Sequence, residues 1–118
     1  MRQGKNWGYT TKFFENAVVS AHHLEIKKGG YCSEHYHEYK YNEFYVISGE
    51  LEITIRREDD EGNKTIDKTI LKAGQLSAVS PGFWHMFRGI TKCEAIEMYQ
   101  VLLIDPDIER RTEGGPKP

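Results

Sequence analysis

Turn-forming residues interrupt this chain at short intervals, and their spacing leaves room only for short elements. Gly29-Gly30, Ser48-Gly49, the run Asp59-Asp60-Glu61-Gly62-Asn63, Ala73-Gly74, Pro81-Gly82 and Gly89 stand between runs rich in Val, Ile, Thr, Tyr and Phe. No run carries a sustained helical repeat. Short β-prone runs between turns predict an all-β sandwich or barrel. Leu51, Ile53 and Ile55 alternate with Glu52, Thr54 and Arg56, the period of a half-buried strand. Ile66, Thr69, Ile70 and Leu71 mark the return strand after the acidic turn, and residues 59–64 read as a solvated hairpin tip. Val18, Ser20, His22, Leu24 and Ile26 form an earlier strand face, and the apolar-rich segment 93–104 is the expected closing strand. Residues 107–111 could form one helical turn after Pro106, and 112–118 reads as a fraying tail.

The bulk numbers exclude several functions. A chain of 118 residues has the size of one domain, expected here to span 1–118 with its core at about 17–104 and a tail at 105–118. A formal net charge of -2 gives no basic field, so nucleic acid is not implied as a partner. No apolar stretch approaches the roughly 18 residues that a membrane span needs. The segment MRQGKNWGYTTKFF lacks the apolar core of a signal peptide. Cys32 and Cys93 are too few for a disulfide framework and read as reduced thiols, so the expected compartment is the cytoplasm.

The chemistry concentrates in the histidines. His35 and His37 are two residues apart. On a strand that spacing puts both rings on one face, about 6.5–7 Å apart along the chain, so both can converge on one ion. Alone the pair is a weak signal. His85 strengthens it, because the turn Ser80-Pro81-Gly82 fixes the chain direction and delivers His85 to the start of the next strand. His22 and His23 read as wall histidines without a ligand role.

Two stretches resemble the motifs of the cupin family. Gly29, five residues, His35-x-His37, an acid-bearing stretch and Gly49 resemble the first motif; Gly74, five residues and Ser80-Pro81-Gly82-x-x-His85 resemble the second. The resemblance covers about residues 17–103. It implies a small antiparallel double-stranded β-helix, or jelly roll, with a metal inside. The ligands it implies are His35, His37 and His85. The ion would be one divalent transition metal: Fe, Mn, Ni, Zn, Co or Cu. The resemblance breaks at the usual ligand Glu, seven residues before the closing Gly, where Asn42 stands and Glu43 comes one residue late. A one-residue step swaps faces, so Asn42 should face the barrel and Glu43 should not, unless a bulge re-aims it. Asn42 is then a possible fourth ligand or a support for one, with Glu43 as its competitor.

Parity also groups Glu97, Tyr99 and Val101 on one face, with Ile96, Met98 and Gln100 on the other. If Glu97 faces inward it becomes a candidate general base, with Tyr99 beside it. Cys32 reads as a small buried side chain. The expected function is that of a metal-dependent enzyme, either an isomerase or epimerase or a non-haem dioxygenase. Its substrate would be a small polar molecule of carbohydrate or carboxylate type. The competing reading is a non-catalytic cupin that binds or senses a small ligand. A homodimer is expected, formed through a sheet face on which Tyr45, Ile47 and Met98 point outward.

Overall fold

The structure is a computed structural model that describes residues 1–101 and Pro116. The end of the expected closing strand (102–104), the helical turn and the fraying tail lie outside the described residues, apart from Pro116. Nine strands follow one another: β1 (Arg2–Lys5), β2 (Gly8–Glu15), β3 (Val19–Ile26), β4 (Lys40–Ser48), β5 (Glu50–Glu58), β6 (Lys64–Lys72), β7 (Leu76–Val79), β8 (Trp84–Gly89) and β9 (Cys93–Val101). They form two antiparallel sheets, one ordered β1-β2-β3-β9-β4-β7 and the other β6-β5-β8. This is the expected all-β jelly roll. No helix among the described residues is long and apolar enough to cross a membrane.

One core fills the space between the sheets. Leu24, Ile26, Phe44, Val46, Cys93 and Ala95 come from the larger sheet; Leu51, Ile53, Ile55, Leu71 and Phe87 come from the smaller. Gly49 alone links β4 to β5 and so carries the chain from one sheet to the other. Its φ is +79°, and an added Cβ would lie 2.3 Å from the Lys92 carbonyl oxygen, so the link needs glycine. The pairing of β4 with β9 shifts between Val46 and Ser48, beside this corner, and alternates regularly from Lys40 to Val46.

The sequence reading began the core near residue 17, but the sheet also takes in β1 and β2. The turn between them brings Trp7 edge-on to Phe87, with ring centroids 5.0 Å apart. Gly8 passes so close to β3 that a Cβ there would meet the Glu25 carbonyl oxygen at 1.9 Å.

The register continues across the larger sheet, so its inner face can be followed row by row. Thr10, Leu24, Ala95 and Val46 stand side by side, as do Lys12, His22, Glu97 and Phe44. The next row holds Ser20, Tyr99, Asn42 and Val79.

A candidate metal centre at the polar end of the barrel

His35-x-His37 was expected on a strand. The structure corrects this: His35 makes a single bridge to His85, and His37 lies outside any regular strand. The segment lacks the apolar alternation that would let it sit in a sheet on its own account. It is instead held against β8 by backbone bonds. His35 and His85 exchange N–H···O bonds of 2.9 Å each, Cys32 N–H donates to Phe87 O at 3.2 Å, and Gly82 N–H donates to His37 O at 2.9 Å. Glu34 ties the segment to β5 through Arg56 Nε at 2.8 Å.

These bonds bring the three imidazoles together. One ring nitrogen from each of His35, His37 and His85 lies within 4.8 Å of the others, a group that could hold a metal ion. The rings of His35 and His85 are 4.2 Å apart by centroid, and His37 stands 5.1 Å from His35 and 5.5 Å from His85. Nδ1 of His35 lies 2.8 Å from Ser33 O, and Nδ1 of His85 lies 3.0 Å from Phe83 O. A carbonyl oxygen only accepts, so Nδ1 of His35 carries the proton and its Nε2 presents a lone pair. Nε2 of His35 and of His37 are buried without a hydrogen-bond partner among the described residues.

His85 makes the point more strongly. Its Nε2 stands 2.8 Å from Asn42 Oδ1. The amide cannot turn to resolve this, because Asn42 Nδ2 donates to Glu97 Oε2 and to Met98 O, both at 3.3 Å. A neutral imidazole can satisfy Phe83 O or Asn42 Oδ1, but not both. Protonation would serve both, yet burial pushes the His85 pKa down to about 4, with the neighbouring His35 and His37 adding to the effect. Two acceptors therefore face each other, beside two orphaned Nε2 atoms. That donor set fits a divalent transition ion.

Asn42 and Glu43 fall where parity puts them, and Glu97, whose direction parity left open, faces inward. Asn42 is fully buried at 0% exposure and His85 is at 2%. Glu43 points to the other face and accepts a hydrogen bond from Gln100 Nε2, so no bulge re-aims it. Glu97 faces inward at 7% exposure. Burial raises its pKa, partly offset by hydrogen bonds from Asn42 and Tyr99. Burial, with Glu97 adjacent, also raises the pKa of Tyr99. A cleft of about 710 Å³ opens over Trp7, His22, His35, His37, Glu97 and Tyr99. Cys32 also lines it, but burial pushes that thiol up to about 11, so it stays protonated at neutral pH.

Sequence reasoning gave His22 only a wall role and assigned nothing in the first hairpin to the cleft. His22 lines the cleft, edge-on to Tyr99 with centroids 5.7 Å apart. Its place on one face with Leu24 was the available signal. Lys12 of β2 lines the cleft as well. Nothing local in 1–15 announced that role.

Comparison with known proteins agrees with the fold. No curated protein matches the sequence. Among solved structures, KdgF from Halomonas sp. superposes with a TM-score of 0.71 at 16% identity, over 87% of this chain and 89% of that one. The cupin domain of Cnp3 from Schizosaccharomyces pombe gives 0.67 at 13% identity, over 80% of this chain and 64% of that one. Oxalate decarboxylase from Lactobacillus farciminis, in a formate complex, gives 0.69 at 21% identity. That match takes in 92% of this chain but only 31% of the decarboxylase, so this chain spans about a third of that enzyme. The family model for the cupin domain matches residues 22–99, most of the chain, and with the two-sheet jelly roll it establishes that this chain belongs to the cupin family.

Proposed function

We propose that this cupin binds one divalent transition metal through Nε2 of His35, His37 and His85, with Asn42 Oδ1 as a fourth donor, and catalyses proton transfer on a small polar substrate. The approach of Asn42 Oδ1 to within 2.8 Å of His85 Nε2 supports the fourth donor. A carboxylate at position 42 would stand against that of Glu97, which explains why an amide suits this position. A bound ion would act as a Lewis acid toward a substrate carbonyl or carboxylate. The polypeptide does the rest. Glu97 is the base that takes and returns the proton, Asn42 orients it through Nδ2, and Tyr99 holds its carboxylate by a hydrogen bond. His22 and Trp7 line the cleft around the substrate.

The observation that carries this reading is the buried Glu97 carboxyl on the cleft wall, with its pKa raised by desolvation. A base near the metal group favours isomerase or epimerase chemistry over dioxygenase chemistry. The test combines elemental analysis with a screen of hydroxy and keto acids and sugars for solvent-deuterium incorporation. About one metal per chain is expected, with exchange into a substrate. Glu97→Gln should lower that exchange by about 10²–10⁴-fold and leave the metal in place. Full metal content with no exchange in any compound would favour the non-catalytic binding reading.

The outer face of the larger sheet supports a homodimer. Tyr45 (41% exposed), Ile47 (43%) and Leu76 (57%) lie there with half-buried Ile96 and Met98. Light scattering should return close to twice 13.7 kDa; a strict monomer would remove this part of the proposal.

A further inference from the structure

The family match begins at residue 22, so the hairpin β1–β2 lies outside it, yet β2 walls the cleft. We infer that this hairpin selects the substrate: Lys12 receives an anionic group of an acid whose reacting end lies against Glu97. The inference rests on the metal-site reading above and names its substrate class as acids with a second carboxylate, remote from the reacting one.

The register carries the argument. Lys12 pairs with His22, and His22 pairs with Glu97, so the three share one inner row. Lys12 and Glu97 are two strand spacings apart, about 9.6 Å between backbones. Lys5 also lines the cleft, but it pairs with Gly8 at the row of Ile26, two rows away from Glu97. Lys12 is therefore the cation in register with the proposed base. The pairing of β2 with β3 shifts between Lys12 and Phe14, an irregularity of the kind that re-aims a side chain.

Lys12 is available for exchange. Its partner is Glu15 at 2.6 Å, and both side chains are more than half exposed. An exposed pair of this kind contributes little, so a substrate carboxylate can take the place of Glu15. An ammonium on a flexible stem suits such a role, since it follows the anion rather than fixing its plane.

The test is calorimetry on the Zn²⁺-loaded protein with dicarboxylates from malonate to pimelate and with the monocarboxylate of each length. At the matching length the diacid should bind about tenfold tighter than the monoacid, the size of one charge-assisted hydrogen bond. Lys12→Gln should erase that advantage without changing monoacid binding. Lys12→Arg should retain it, and Glu15→Gln should increase it by freeing Lys12. A diacid advantage that survives Lys12→Gln, or no advantage at any length, overturns the inference. Should the protein take up no Zn²⁺, the metal reading fails by that measurement alone. The same titration of metal-free protein, wild type against Lys12→Gln, then decides the role of Lys12.

Discussion

The inner face of the larger sheet divides into two halves built on the same strands. In one half β2, β3, β9 and β4 contribute Thr10, Leu24, Ala95 and Val46; one row further, the same strands contribute Lys12, His22, Glu97 and Phe44, and then Ser20, Tyr99 and Asn42. Strand parity is identical in both, and only the side chains change. The apolar half is saturated by packing. The polar half keeps Glu97 and Asn42 buried but opens to solvent at Lys12, and across from it His85 of β8 sets its Nε2 against Asn42 Oδ1. The contrast teaches that the fold is secured at one end, which lets the other carry an arrangement that is unfavourable without a ligand.

The contrast makes firm demands. Leu24 of the apolar half is fully buried, so Leu24→Ala should cost about 2–5 kcal/mol of stability in urea denaturation. His85→Ala should cost the metal-free protein no more than about 1 kcal/mol, because it removes an opposed pair of acceptors along with the packing. If both variants lose stability equally, the division into a securing half and a strained half is wrong.

Metal affinity should answer in the opposite sense. His85→Ala should reduce it by more than about 100-fold, beyond the usual effect of a residue that only supports a ligand. Leu24→Ala, where folded, should leave it within a few-fold. Competition against a fluorescent chelator measures both. A smaller effect sharpens the same boundary within β4: Asn42→Ala should weaken binding by about tenfold, whereas Glu43→Gln, on the outer face, should leave it unchanged. Loss on changing Glu43 would mean that the strand parity is misread.

The same histidine, His85, should also show in the pH dependence. In the metal-free protein the His85 pKa is held near 4, against 6.5 in the unfolded chain. Between those values the unfolded chain takes up a proton that the folded protein refuses. Stability should therefore fall as pH drops from 6.5 and the fall should level off below about 4. The raised pKa of Glu97 acts in the opposite direction, so the measurement is the difference between wild type and His85→Asn. Parallel stability curves for the two would show that His85 is not the group responsible.

Much of this was legible in the chain. Turn spacing and alternation are local signals, and they gave the all-β architecture. Period two along β4 placed Asn42 inward and Glu43 outward; along β9 it grouped Glu97 with Tyr99 but left open which face was the inner one. The hairpin β1–β2 was not legible. Arg2, Gln3, Gly4 and Lys5 show no apolar alternation, and Phe13 and Phe14 of β2 are exposed. Its place depends on Gly8 fitting against β3 and Trp7 meeting Phe87, contacts made far along the chain. The conflict at His85 was also invisible, since it arises from Phe83 behind the ring and Asn42 in front of it.

The position of β1 has a colloidal consequence. A strand at the end of a sheet exposes unpaired amide and carbonyl groups to any extended peptide that drifts past. β1 is only four residues long, exposed at every residue and charged at both ends by Arg2 and Lys5. Another strand adding there would gain few bonds and meet two cations. Growth of the sheet from molecule to molecule is discouraged at this margin, and concentrated solutions should resist the fibrous precipitation to which open β-sheets are prone.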